Sequence, residues 1–258
     1  MKKVIKKIFR KKEKKTNKKD IILDNIYSLL IALFVAVLIR SFLVQAFYIP
    51  SGSMKPGLLE GDYVFVTKYN YGYSKHALPF SIPILPKDRL FYSEPQRGEV
   101  VIFKTPSDNS TDYVKRLIGK PGDKIQIINS VVYLNNKPLK RELIKEEIID
   151  GISFIYYKET IPVAENEEKS YIIREIKNFP YYDVKFYGPI IVPEDQFFMM
   201  GDNRDQSKDS RFSEVGLVPK ENLMGRGGMV FFSINGDFLE IWKWPTEIRW
   251  DRFFKIIR

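Results

Sequence analysis

The apolar run at residues 26–47 constrains this chain more than any other segment, because nothing else in the sequence is both long and apolar enough to cross a lipid bilayer. Residues 26–39 carry no charge, and after Arg40 the apolar character resumes through Phe42, Leu43, Val44 and Phe47. A hydrocarbon core about 30 Å thick takes roughly 20 helical residues, so a transmembrane helix over 26–47 is expected. Arg40 near its outer end can lift its guanidinium to the headgroups while its stem stays in lipid. The competing reading is a cleaved leader, since Val44-Gln45-Ala46 looks like a small-residue processing site. Such a leader would be about 46 residues long against a usual 15 to 30, which favours an uncleaved anchor.

Charge supports that reading. Of the net +10, the first twenty residues supply +9, eleven Lys/Arg against Glu13 and Asp20, and the rest of the chain is close to neutral. A nucleic-acid groove spreads basic residues over a folded surface with aromatic platforms; here the charge is a polar tail, residues 1–25, ahead of an apolar segment, so no nucleic-acid partner is expected. The excess of lysine places that tail in the cytoplasm and the rest of the chain across the membrane. There is no cysteine, which excludes a disulfide framework, a thiol nucleophile and a Cys-ligated metal together.

Beyond the anchor the fold class reads as mainly β. Residues 63–67, 99–104, 124–128, 131–134 and 196–200 are short runs rich in β-branched and aromatic side chains, bounded by turn residues. Asn129-Ser130 between two such runs suits a tight hairpin. These runs predict an antiparallel β-sheet domain in two parts, 48–139 and 189–258. Residues 140–188, rich in Glu, Lys and Tyr and without a chemical motif, read as an inserted β subdomain. The carboxyl end, with Trp242, Trp244, Trp250, Phe253 and Phe254 among basic residues, has the composition of an interfacial segment, and core packing accounts for the same aromatics equally well.

Chemistry is suggested first by Ser53, in the turn Pro50-Ser51-Gly52-Ser53-Met54-Lys55-Pro56 just beyond the apolar run. A hydroxyl nucleophile needs a base, and the chain offers one histidine, His76, in a segment of loop character. The other option is a neutral lysine. Bringing a lysine from about 10.4 to near neutrality costs about 4 kcal/mol, within reach of burial in an apolar site. Lys115 is a candidate because strand alternation sets it on one face with Tyr113 and Leu117, whereas Arg116 on the other face cannot surrender its proton. A lysine rising from a strand edge fits the same pattern, and on the residues alone that plainer reading is preferred.

Four motifs, in order, carry a resemblance: 45–56 around Ser53; Arg97-Gly98-Glu99-Val100-Val101; 112–123, from Asp112-Tyr113-Val114-Lys115 to Pro121-Gly122-Asp123; and Gly201-Asp202-Asn203-Arg204-Asp205-Gln206-Ser207-Lys208-Asp209-Ser210-Arg211. With the anchor before them, they resemble type I signal peptidase, the bacterial leader peptidase, a membrane serine endopeptidase with a Ser-Lys dyad. The resemblance implies Ser53 as acylating nucleophile and Lys115 as general base. It implies Ser51 as an oxyanion donor, Ser207 as the group orienting the lysine, and Asp209 with Arg211 as a supporting ion pair. It also implies shallow subsites for small side chains lined by Phe47, Ile49, Met54, Leu58, Ile102, Tyr113 and Val114, selecting an Ala-x-Ala pattern. The expected partners are exported preproteins and the lipid bilayer, at the bacterial inner membrane with the catalytic domain outside, and neither metal nor cofactor is required. Alone, 201–211 would read as a solvated loop, and a calcium loop fits poorly because Arg204 and Gln206 occupy ligand positions. The chain departs from the family pattern at Ala46, Gln206 and Ser213-Glu214, none of them in the dyad. The rival readings are a self-cleaving Ser-Lys repressor, disfavoured by the anchor, and a non-catalytic membrane-anchored β-domain that binds partners.

Overall fold

In the computed structural model, residues 18–78, 81, 88–180, 184–236 and 240–257 are described; residues 1–17 of the basic tail lie outside them. The chain divides into two units, 1–40 and 41–258. The first contains most of helix α1, Lys18–Phe42, of which Ile21–Phe42 is long and apolar enough to span a bilayer. The helix differs from the expected 26–47 at both ends. At its start, Asp20 and Asp24 interrupt the apolar character but not helix formation. At its end, Val44–Tyr48 is strand β1, paired with Asp62–Thr67 (β2) in the register Ala46↔Phe65. Residues 43–47 are apolar enough for either medium, and the sheet takes them because β2 presents a pairing edge. A cut after Ala46 would remove three of the five residues of β1.

The second unit is built on antiparallel sheets. The largest has the order β1-β2-β14-β3-β4-β12-β13, where β3 is Val100–Lys104, β4 Asp112–Gly119, β12 Gln196–Met200, β13 Val218–Pro219 and β14 Leu223–Ser233; β15, Lys255–Ile256, pairs with β14. Strand β3 is covered on both faces. Val100 and Ile102 point into one cluster with Phe47, Met54, Val64 and Val66, and Val101 and Phe103 into another with Leu117, Phe197 and Met199. Alternation of period two thus gives an unbroken apolar run.

A second sheet, β11-β5-β6-β7, comprises Tyr187–Ile191, Lys124–Ile128, Val131–Leu134 and Lys137–Pro138. Its turns follow from local chemistry: Asn129-Ser130 and Asn135-Asn136 adopt positive φ, which asparagine tolerates and two-residue hairpins require. The segment expected as an insertion forms a third sheet, β10-β9-β8, from Lys140–Ile149 (β8), Ile152–Ala164 (β9) and Glu167–Ile176 (β10). It has no separate core. Ile161, Tyr171 and Ile173 join Ile118 of β4 and Ile125 and Ile127 of β5 in one cluster.

Candidate active site

Ser53 sits in a 3-10 turn, Gly52–Met54, between β1 and β2. The turn is anchored by Met54, 1% exposed, in the core with Ile49 and Leu58. From the other side, loop 201–211 clasps it: the Asn203 backbone N–H donates to the Ser53 carbonyl at 3.1 Å and its Nδ2 to the Gly52 carbonyl at 2.9 Å. The approach is close enough that a Cβ at Gly201 would fall 2.5 Å from the Ser53 carbonyl oxygen, which explains glycine there.

Strand β4 brings Lys115 to the same point. Its Nζ donates to Ser53 Oγ at 2.8 Å and to the Val114 carbonyl at 3.0 Å, and lies 5.0 Å from the centre of the Tyr113 ring. Lys115 is 3% exposed. Burial pushes its pKa down to about 8, and the nearby Arg211 adds to this; Asp209 and Asp202 pull the other way. Its neighbour Arg116 serves the opposite face, making two hydrogen bonds to Asp202 at 2.7 and 2.6 Å and lying over the Tyr171 ring.

The supporting residues are largely together. Ser51 Oγ lies 3.4 Å from Ser53 Oγ. Asp209 is fully buried and receives Arg211 Nε at 2.8 Å and Nη2 at 2.9 Å, while its Oδ2 also accepts from the Gly201 N–H. Burial opposes its charge, yet Arg211 and these donors hold the carboxyl below its usual range. Ser207 differs from expectation: its Oγ is buried without a hydrogen-bond partner, so it does not hold the lysine here. Gly201 packs closely against it, since a Cβ at that position would lie 2.2 Å from the Ser207 oxygen.

Ser53 and Lys115 open onto a cleft of about 530 Å³. Phe47, Ile49, Met54, Tyr113 and Val114 are among the residues that line it. Leu58 and Ile102 do not: they are 1% and 0% exposed, packed in the core with Val64 and Val66, and neither is among the described residues lining the cleft. His76 is likewise elsewhere. Its Nδ1 is 3.0 Å from Ser81 Oγ, burial drives its pKa down to about 4, and it is not among the cleft residues. Sequence reasoning missed Arg174, Asn203, Gln206 and Lys208 as cleft residues. Asn203 and Gln206 lie inside a quoted motif, but Arg174 comes from β10, a segment with no motif to mark it.

An antiparallel β domain in which a serine hydroxyl and a buried lysine amine meet at one cleft is an arrangement that serine hydrolases use. The comparisons with known proteins then specify it. A family described as "Signal peptidase, peptidase S26" matches residues 22–232. The chain is 41% identical over 238 residues to Signal peptidase I of Rickettsia typhi, covering 86% of this chain and 88% of that one, and 41% identical over 236 residues to its counterpart in Rickettsia conorii, with the same coverage. A crystal structure of a signal peptidase I from Enterococcus faecalis V583 covers 52% of this chain and 97% of its own, at 23% identity and a TM-score of 0.31. The chain belongs to the signal peptidase S26 family and is a signal-peptide-cleaving serine peptidase. A non-catalytic scaffold and a self-cleaving repressor are thereby set aside.

Proposed function

We propose that this protein removes signal peptides from exported preproteins through an acyl-enzyme on Ser53, with Lys115 as the general base, while α1 anchors it in the bacterial inner membrane. The observation that carries the reading is the 2.8 Å contact between Ser53 Oγ and the Nζ of a lysine whose pKa is pushed down to about 8. A neutral amine at that distance takes the hydroxyl proton as Oγ attacks the scissile carbonyl, and the resulting ammonium gives it to the leaving amine. A water molecule then loses a proton to the same amine and hydrolyses the ester. Ser51 Oγ and the Ser53 N–H are the donors assigned to the oxyanion. Asp209, fixed by Arg211, steadies the ammonium without forming an ion pair that would keep the amine charged.

The apolar wall made by Phe47, Ile49, Tyr113 and Val114 supports small side chains before the cleaved bond, the Ala-x-Ala pattern, because larger groups would clash with buried rings and branched chains. The lysine-rich tail favours a cytoplasmic amino terminus and a catalytic domain on the outer face. Exposure of Ile241, Trp242, Trp250, Phe254 and Ile256, each more than 60% accessible, supports lipid contact by the carboxyl-terminal segment. Trapping decides the mechanism. An acylating serine reagent should leave a mass adduct on Ser53 of the full chain in detergent, and none in Lys115→Ala. An adduct elsewhere, or undiminished labelling of the variant, overturns the dyad.

A further inference from the structure

The cleft is chemically mixed. Besides apolar residues, its lining includes the polar and cationic side chains of Arg174, Asn203, Gln206 and Lys208. Arg174 is 8% exposed, and its guanidinium carbon lies 4.3 Å from the centre of the Phe154 ring. Its one side-chain hydrogen bond is a long one, Nη2 to Gln206 Oε1 at 3.4 Å, and its Nε is buried without any partner. Among the described residues no carboxylate lies within ion-pair distance of it. Glu147 of β8 feels its charge, but the ion pair Glu147 makes is with Lys145, at 2.8 Å. The acids on the cleft lining are also committed, Glu60 to Lys55 at 3.3 Å and Asp112 to Lys104 at 2.7 Å.

A buried guanidinium without a counter-ion is costly, and a ring face with one long hydrogen bond returns only part of the lost hydration. Three structural arginines, Arg116, Arg204 and Arg211, each about 2% exposed at the side chain, have carboxylate partners. Arg89, 7% exposed, instead gives its guanidinium to the backbone carbonyls of Tyr71, Gly72, Lys220 and Leu223. Arg174 has only its one long bond to an amide oxygen. Arg174 is also held firmly where it is. Its backbone N–H donates to the Asp202 carbonyl at 2.9 Å, pairing β10 with the loop that clasps Ser53. The Asn203 side chain links Gln206 Oε1, at 3.1 Å, to the Gly52 carbonyl, so Arg174 is joined to the Ser53 turn through two side chains. Asn203 Oδ1 beside it is a buried acceptor without a donor.

We infer that Arg174 of the inserted sheet forms a subsite for an acidic side chain of the preprotein, in the mature segment just after the cleaved bond. The assignment rests on the signal-peptidase reading above: apolar residues before the bond match the apolar part of the lining, which leaves the cationic part to residues after it. A carboxylate there completes the guanidinium's missing ion pair with charge-assisted hydrogen bonds. The inserted sheet thus takes part in choosing substrates. Arg174 acts on specificity and takes no part in the chemical step.

The test uses the full chain in detergent with matched preproteins carrying Glu or Gln at each of the first five positions after the cleaved bond. At one of these positions the wild type should favour Glu over Gln by about ten-fold in kcat/KM. In Arg174→Met the ratio should fall to about one, and in Arg174→Glu a Lys substrate should overtake the Glu substrate. The ratio is read within each variant, so a loss of folded enzyme cancels. If Arg174→Met does not accumulate, the wild-type series alone decides: no Glu preference at any position overturns the subsite. A preference that survives in Arg174→Met, equal losses for both substrates, or a ratio of one accompanied by reduced binding to anionic vesicles also overturns it. Cleavage that persists in Ser53→Ala would instead sink the underlying mechanism, a result separable from all of these.

Discussion

The two faces of strand β4 bury two cations side by side and treat them in opposite ways. On one face Lys115, 3% exposed, meets a hydroxyl and a carbonyl, and burial lowers its pKa to about 8. On the other, Arg116, 2% exposed, is gripped by both oxygens of Asp202; burial works against its charge, but the carboxylate outweighs it and raises its pKa. The same degree of burial therefore yields a lysine of lowered pKa or a structural tie according to whether a carboxylate is supplied at hydrogen-bond distance. The reactive side keeps its carboxylate, Asp209, occupied by Arg211.

The largest expected effects break the reactive side. Ser53→Ala or Lys115→Ala should lower kcat for a preprotein by about 10⁴-fold or more, and Lys115→Arg should be equally inactive because a guanidinium cannot accept the proton. Single-turnover assays on folded variants check this. On the structural side, Asp202→Asn removes the carboxylate that balances the buried Arg116 charge, with an expected loss of about 3–5 kcal/mol in denaturant unfolding of the extramembrane domain. Ser51→Ala, measured by kcat, should cost about 10²-fold if its hydroxyl reaches the oxyanion.

The pH profile sharpens the contrast. Lys115 is a base only when deprotonated, so kcat/KM should rise with pH through a limb near 8. Asp209 raises the lysine's pKa, so Asp209→Asn should move that limb to lower pH; an unmoved limb would assign it to another group. The smallest effect is expected at His76, which hydrogen-bonds Ser81 away from the cleft: His76→Asn should change kcat/KM by about two-fold or less.

Much of the fold was legible because β-branched and aromatic runs such as 124–128 and 131–134 satisfy strand chemistry without tertiary help, and Asn129-Ser130 marks its own hairpin. The end of the helix was not, since residues 43–47 suit lipid and sheet core alike, and only the partner strand β2 decides. At the site, Ser53 and Lys115 were found as a pair through four motifs in order, whereas alternation of apolar residues could place Lys115 on a face without saying what covered it. Leu58 and Ile102 were assigned to the cleft because lining and core share one composition; their depth is a property of how β2, β3 and β14 pack. Arg174 lay beyond sequence reasoning, because what sets it apart is a buried Nε without a partner among the described residues, and an absent contact leaves no trace in a local pattern.

The absence of a private core in the third sheet has a consequence for anyone who would rebuild this molecule. With Ile161 and Ile173 filling the same cluster as Ile118 and Ile125, residues 140–176 cannot be lifted out as a cassette. Excision would strip the underside of the strand that holds Lys115, and a graft from a relative must bring the matching side chains of β4 and β5 along with it.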